Sequence, residues 1–294
     1  MFEADGFIAV DWGTTNRRAY RVAAGGRHDA EFEDGKGVLA VEPGGFPAAV
    51  AEIRARLGDL PLILAGMVGS NRGWVEAPYV PCPAGLDELA ARVIWAEPGR
   101  AAIVPGLSLL DGPRADVMRG EEVQLLGAVS AGLIPADGLA CHPGTHNKWV
   151  LLDHGKIASF RTVMTGELFN HLKSKGILAD WLGGEVAPDG AFHAGVRQGL
   201  AGGATGADLF AVRARILLGQ AAITDAASYT SGLLIGADVR CGLGEGPGPV
   251  TVIGRPELTR LYATAIAEAG RVAHEVDGET AFLAGILQIA RRMT

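Results

Sequence analysis

Residues 7–20 read Phe7-Ile8-Ala9-Val10-Asp11-Trp12-Gly13-Thr14-Thr15-Asn16-Arg17-Arg18-Ala19-Tyr20. A short apolar strand ends on the Asp11 carboxylate. A Gly-Thr-Thr turn follows, and the pattern then resumes as if a second strand pairs back on the first. This arrangement suits phosphate handling. Glycine lets the backbone come close to an anion. Successive N–H groups and two hydroxyls in a tight turn can surround phosphate oxygens. A carboxylate at the strand end can hold Mg²⁺, directly or through water, beside those oxygens. An ordinary hairpin would satisfy the same pattern. No Gly-x-x-x-x-Gly-Lys-Ser/Thr loop occurs in the chain.

The same logic recurs at Gly138-Leu139-Ala140-Cys141-His142-Pro143-Gly144-Thr145-His146-Asn147-Lys148-Trp149-Val150-Leu151-Leu152. An apolar run, a Gly-Thr turn and a second apolar run appear again, and Asp153-His154-Gly155-Lys156 turns the chain into Ile157–Val163. Two such units, roughly 130 residues apart, predict two related half-domains, each with one phosphate-binding hairpin.

The chain has 294 residues, a length that suits two domains. Apolar residues make up 48%, enough for real cores, and the net charge is −7. That acidic balance argues against nucleic acid or an anionic membrane surface as a partner. ATP stays compatible, because local amides and Mg²⁺ neutralise its phosphates. Cys82, Cys141 and Cys241 contain no Cys-x-x-Cys, so neither a zinc site nor a disulfide framework is indicated. This points to a reducing, cytoplasmic compartment. Met1–Asp5 is acidic and lacks the basic start of a signal peptide. The apolar runs are too short to span a bilayer.

Strands are expected at 7–12, 17–23, 28–33, 62–66, 101–104, 138–142, 148–153, 157–163 and 250–253. The first helix should cover 46–57, with Phe46, Val50, Ile53 and Leu57 on one face. Another should run from Arg119 to Ala131. Gly132 and Pro135 then mark a boundary, dividing the chain into 1–134 and 135–294. Thr165 is the expected N-cap of a helix. Further helices are expected at 192–201, 207–218, 225–235, 256–269 and 279–292.

The two hairpins resemble the phosphate motifs of the acetate/sugar kinase, Hsc70 and actin superfamily. Five strings resemble the 2-dehydro-3-deoxygalactonokinase family more closely: Ala9–Asn16, Gly66–Trp74, Met118-Arg119-Gly120-Glu121-Glu122, Pro143–Trp149 and Met164-Thr165-Gly166-Glu167-Leu168. Asn71-Arg72 stands where the family pattern has a basic residue followed by glutamine. The resemblance implies an α/β fold of two actin-like (ribonuclease H-like) domains flanking an ATP and substrate cleft. The N-terminal domain would take the sugar acid and the C-terminal domain the nucleotide. It also implies ATP- and Mg²⁺-dependent phosphorylation of 2-dehydro-3-deoxy-D-galactonate at its 6-hydroxyl. A same-fold kinase of another sugar or sugar acid is the nearer alternative. A non-catalytic sugar sensor is the other, although no basic or helix-turn-helix segment precedes Phe7. Homodimerisation stays open.

The candidate site residues follow from both readings. Asp11 is the metal-side carboxylate, or a cap on its own turn. Gly13, Thr14 and Thr15 are the first phosphate turn. Gly144, Thr145 and Lys148 are the second, with Lys148 alternatively a solvated turn lysine and His146 alternatively structural. Glu121 and Glu122 open a helix, where acidic residues also suit the helix dipole. They point about 100° apart, so one of them can serve as general base. By analogy with the phosphatase branch of the superfamily, Glu122 is the one expected to face the cleft. Ser70, Asn71, Arg72, Trp74, Glu76 and Tyr79 lie in a glycine-rich loop suited to a hydroxylated acid. There Arg72 offers its fork to a carboxylate, and Arg17 or Arg18 could supplement it. Gly254 stands at a strand–helix turn and resembles an adenosine motif. Pro256 equally suits an ordinary helix start.

Overall fold

β1 (Phe7–Trp12) is buried along almost its whole length, because it is flanked on both sides and covered on both faces. In this computed structural model, which describes residues 6–110, 114–244 and 248–293, the chain divides into two units. The acidic segment 1–5 lies outside the described residues.

The first unit holds the described residues up to Asp137, together with Leu152–Ser159 and those from Gly278 on. Its strands are β1, β2 (Arg17–Val22), β3 (His28–Asp34), β4 (Leu62–Gly66), β5 (Val80–Pro81), β6 (Ile94–Glu97), β7 (Ala101–Ile103), β8 (Leu107–Leu109) and β9 (Asp116–Met118). Its main sheet has the order β3-β2-β1-β4-β7-β6. β1, β2 and β3 form an antiparallel meander, whereas β4 runs parallel to β1 and β7 parallel to β4. A small sheet, β5-β8-β9, stands apart. The helices are α1 (Phe46–Leu57), α2 (Leu86–Ala90) and α3 (Glu121–Ser130). α1 buries Phe46, Val50, Ile53 and Leu57, the face expected from spacing, against Val10, Trp12 and Leu64.

The second unit holds Gly138–Leu151 and Phe160–Asp277. The second sheet is formed by β10 (Gly138–His142), β11 (Asn147–Asp153), β12 (Lys156–Val163), β13 (Val250–Gly254) and β14 (Ala273–Asp277), ordered β12-β11-β10-β13-β14, with the end of β11 and the start of β12 falling in the segment Leu152–Ser159 that groups with the first unit. β10, β13 and β14 are parallel. The two-residue link from β11 to β12 fits an antiparallel pair. Its helices are α4 (Thr165–Ser174), α5 (Gly190–Ala201), α6 (Thr205–Leu217), α7 (Ala226–Gly242) and α8 (Pro256–Glu268). The core gathers Cys141, Trp149, Phe192, Val196, Val252 and Ile266.

The last helix, α9 (Gly278–Arg292), belongs to the first unit. It packs on α3 at backbone contact. A Cβ at Gly285 would stand 2.0 Å from the Val123 carbonyl oxygen, and one at Gly127 would stand 2.1 Å from that of Ala281. Among the described residues no helix is long and apolar enough to cross a membrane.

Candidate active site

Parallel strands collect ligands at their carboxyl ends, where helix N-termini and loops leave polar groups facing outward. In the first unit Asp11 stands at that end of β1, opposite Arg18 on β2 and Ala65 on β4. Its side chain is 18% exposed, and Arg18 Nη2 lies 3.5 Å from its Oδ2. The turn beyond it is closed by the Gly13 N–H donating to the Asn16 carbonyl (2.9 Å). Gly37 and Leu39 N–H groups donate to the carbonyls of Thr15 and Thr14 (2.9 and 3.2 Å) and fix the loop's shape. Thr14 and Thr15 themselves are exposed.

Arg17 differs from its sequence reading as a substrate contact. Strand alternation sends it to the opposite face from Arg18. It is fully buried and donates to both oxygens of Asp34 (3.2 and 2.7 Å) and to the Ala49 carbonyl (3.3 Å). The rings of Trp12 and Phe32 flank it at 5.2 and 5.5 Å. It is committed to the fold of this unit.

α3 begins against the same strand ends. Gly66, at φ +93°, leaves no room for a side chain, since a Cβ there would lie 2.8 Å from the Trp12 carbonyl oxygen. A Cβ at Gly120 would come within 3.2 Å of the Gly66 Cα. The two carboxylates that follow are placed differently from expectation. Glu122 is fully buried, and both its oxygens accept the Gly120 N–H (2.8 and 2.7 Å). Burial, reinforced by the Glu121 charge, pushes its carboxyl up to about 8. It therefore holds a proton at neutral pH and does not face outward. Glu121 is the half-exposed member and accepts the Arg119 N–H at 3.1 Å. The twist of the first helical turn decides between them, and here it turns Glu122 inward.

The glycine-rich loop after β4 is tightly tied to itself. Ser70 Oγ donates to the Met67 carbonyl (2.7 Å) and accepts the Arg72 N–H (3.2 Å). Trp74 and Ala77 N–H groups donate to the Val68 and Gly69 carbonyls. Asn71, Arg72, Glu76 and Tyr79 are exposed, Trp74 is half-buried and Ser70 is buried. Arg119 lies beneath this loop. Its Nη2 donates to the Ala77 carbonyl (2.7 Å), and its guanidinium stacks 4.3 Å from the Tyr79 ring.

In the second unit, the Gly144–Thr145 turn is braced by α4. The Glu167 N–H donates to the Thr145 carbonyl (2.9 Å), and a Cβ at Gly166 would lie 2.5 Å from the Gly144 carbonyl oxygen. The helix N-terminus thus sits on the turn, an arrangement that favours anions. Beside it opens a pocket of about 210 Å³, lined by Gly144, Thr145, Thr165 and Gly166 at one end. Phe169, Leu234, Ile235, Leu258, Leu261 and Tyr262 make the rest mainly apolar. Gly254 ends β13 behind α8, buried, with Thr259 and Pro143 nearest to where a Cβ would stand. Lys148 departs from its reading as a phosphate contact at the turn. It is the second residue of β11, is 4% exposed, and its Nζ lies 3.4 Å from the His146 carbonyl oxygen. His146 is exposed and paired with Glu167.

One carboxylate organises this half. Asp238, 2% exposed on α7, accepts from Asn147 Nδ2 (3.1 and 3.0 Å), Trp149 Nε1 (2.7 Å), Thr165 Oγ1 (2.5 Å) and Tyr262 OH (2.6 Å). Burial raises its carboxyl, while these donors pull the other way. Thr165 is therefore not the N-cap expected from sequence. Met164 holds that position, and the Thr165 hydroxyl points to Asp238. Sequence reasoning missed both Asp238 and Arg119. For Asp238 the signal was an acid inside the apolar run Leu233-Leu234-Ile235-Gly236-Ala237-Asp238-Val239.

Two sheets that share the strand order of five strands, the first with a sixth at its edge, each with a Gly-Thr turn between its first two strands, give the chain an actin-like fold. The solved structure of the (R)-2-hydroxyglutaryl-CoA dehydratase component A from Acidaminococcus fermentans shares this fold, with a TM-score of 0.55 at 11% identity over 98% of this chain and 99% of that one. The chain belongs to the 2-keto-3-deoxy-galactonokinase family, whose model matches residues 11–289, and it is a carbohydrate kinase. It is 38% identical to the 2-dehydro-3-deoxygalactonokinase of Escherichia coli (strain K12), over 97% of each chain. A Sinorhizobium meliloti crystal structure, of a protein described as a candidate 2-dehydro-3-deoxygalactonokinase, superimposes with a TM-score of 0.90. That protein is 36% identical, over 97% of this chain and 98% of its own.

Proposed function

We propose that this chain transfers the γ-phosphoryl group of ATP to the 6-hydroxyl of 2-dehydro-3-deoxy-D-galactonate. The observation that carries the nucleotide half is the second unit's turn and pocket. Gly144 and Thr145, with the α4 N-terminus, offer amides to phosphate oxygens, and the adjoining apolar pocket is suited to a nucleoside. In the first unit, Gly13, Thr14 and Thr15 form a phosphate-type turn of the same kind. The acceptor binds in the first unit at the Ser70–Tyr79 loop.

In the reaction a bond forms between the 6-oxygen and the γ-phosphorus. The bond from that phosphorus to the β,γ-bridging oxygen breaks, ADP leaves, and the hydroxyl proton departs. Positioning and charge stabilisation carry most of such a transfer. Asp11 is the residue that would hold Mg²⁺. It is a single partly exposed carboxylate at a strand end beside a phosphate-type turn, and Mg²⁺ typically takes one or two carboxylates plus phosphate oxygens. The ion would neutralise phosphate charge. Arg18, 3.5 Å from Asp11, orients the carboxylate. Glu121 is the α3 carboxylate open to an acceptor proton, whereas Glu122 is enclosed.

A coupled ADP-release assay across 2-dehydro-3-deoxy acids and neutral hexoses tests this reading. Turnover should be highest with 2-dehydro-3-deoxygalactonate and low with glucose or galactose. Efficient glucose phosphorylation would refute it.

A further inference from the structure

Arg119 is an anomaly of the first unit. It is 8% exposed, at the end of β9 and immediately before the Gly120 that opens α3. A guanidinium carries five N–H donors and no acceptor. Its one hydrogen-bond acceptor among the described residues is the Ala77 carbonyl, on Nη2. Nε and Nη1 are buried with no hydrogen-bond partner among those residues. The other buried guanidinium of this unit, Arg17, shows what a structural arginine looks like here, with a carboxylate on its fork and a carbonyl on its remaining arm. Buried charges are normally paired, because an uncompensated one is costly. Unmet buried donors are rare in native folds and demand an explanation, of which a bound ligand is one.

Neighbouring residues narrow the choice of that partner. The Glu122 carboxyl does not fill the role, since both its oxygens are on the Gly120 N–H. Glu121 reaches the Arg119 main-chain N–H. The surroundings of the guanidinium are the acceptor loop itself. Tyr79 stacks on it, Ala77 holds one arm, and a Cβ at Gly69 would stand 2.9 Å from Nη1. Glycine at position 69 keeps a side chain out of that place. Arg72, the basic residue of the loop, is exposed to water. A solvated cation discriminates weakly between an acid and a neutral sugar, whereas a desolvated fork discriminates strongly.

We propose that Arg119, rather than Arg72, is the specificity-determining cation that reads the substrate's carboxylate, reached when the loop carrying Tyr79 shifts off the guanidinium. The partner is a planar carboxylate, which matches the guanidinium fork. This rests on the reading of the chain as a sugar-acid kinase.

The test compares wild type, Arg119→Met, Arg119→Lys and Arg72→Ala with 2-dehydro-3-deoxygalactonate and with its C1 amide, which keeps the hydroxyls and loses the charge. Arg119→Met should raise KM for the acid by roughly 10–100-fold and leave KM for ATP within about twofold, with kcat changing less than KM. Its KM for the amide should match wild type. Arg119→Lys should recover part of the acid KM, since a point charge lacks the fork. Arg72→Ala should raise the acid KM by clearly less than Arg119→Met does. Equal losses for acid and amide would make Arg119 structural and overturn the proposal, as would an unchanged acid KM or a larger effect from Arg72→Ala. If Arg119→Met does not fold, Arg119→Lys and the acid-to-amide ratio decide in the same way. A wild type inert to this acid but active on another 2-dehydro-3-deoxy acid would refute the substrate reading alone. Arg119 is then judged on that acid by the same ratio.

Discussion

At the scale of single residues, the carboxylates divide by exposure. Asp11 keeps part of its surface at a strand end, and Glu122 keeps none. Asp11→Asn removes one charge where phosphate and metal charge concentrate. It should lower kcat by roughly 10²–10⁴-fold, about 3–5 kcal/mol of transition-state stabilisation. Steady-state turnover equal to wild type in a folded variant would remove Asp11 from the site. Glu122 makes a different prediction. Its carboxyl is raised in the folded protein from 4.5 to about 8, so the folded state holds a proton that the unfolded chain has lost. Stability therefore falls as pH rises between those values, by at most about 4–5 kcal/mol. Glu122→Gln is neutral throughout. Thermal melts should show the Tm of wild type falling by several degrees relative to Glu122→Gln between about pH 5.5 and 8.5. A difference that does not move with pH would contradict the burial argument. An enclosed, protonated carboxyl is also no base, so kcat of Glu122→Gln should stay within about tenfold of wild type, short of the usual share of general-base catalysis. Residue type and spacing single out Asp11 in the sequence as a site candidate. They could not show which of two adjacent glutamates turns inward, because a small change in the first turn of α3 reverses the answer. Arg119 was hidden for a related reason, since its meaning lies in the partners it lacks.

Elements were legible where one face or one run carried the signal. α1 announced itself by Phe46, Val50, Ile53 and Leu57, and all four are buried. β1, β4 and β13 are runs buried on both faces and were found within a residue of their ends. β5, β8 and β9 were not read. They are two or three residues long, and pairing across distant segments creates them. β14 was missed because it does not alternate: only Ala273 and Val276 are half-buried, while His274, Glu275 and Asp277 are exposed. α7 was read short at residue 235 because the run contains glycines and an acid, yet it continues to Gly242. That acid, Asp238, ties three elements of its unit together: β11 through Asn147 and Trp149, α4 through Thr165, and α8 through Tyr262. Asp238→Ala would leave four buried donor groups without their acceptor, at about 1–3 kcal/mol each. That total is comparable to the whole stability of a domain, about 5–15 kcal/mol. The variant should lose cooperative unfolding of the second unit in calorimetry, while Asp238→Asn should lower its Tm less. Wild-type melting of Asp238→Ala would mean that the carboxylate is not the organiser argued here.

At the scale of the molecule, the chain path is the feature a linear reading handles least well. Cutting the sequence near residue 134 leaves the last helix with the second half, yet α9 packs within the first unit. The cause is local and physical. Gly127 on α3 and Gly285 on α9 bring two helix backbones into contact, and neither glycine signals this in isolation. α9 then buries Phe282, Ile286 and Ile289 almost completely, sets Phe282 6.0 Å from the Tyr20 ring on β2, and pairs Arg292 with Asp87 at 2.6 Å. Three large apolar side chains at about 1.5–3 kcal/mol each give roughly 5–9 kcal/mol from burial alone. That is of the order of a domain's entire margin. A chain ended at Asp277 should therefore lose the first unit and keep the second, although only 17 residues of the 294 are removed. Hydrogen exchange reads the two separately. Amides of β1, β2 and α3 should lose protection, whereas those of α5, α7 and β13 should keep it. Uniform loss across both units would mean that they unfold as one body. Retained protection in β1 and α3 would mean that α9 is an accessory helix and that the α3–α9 contact contributes little to holding Asp11 and Arg119 in place.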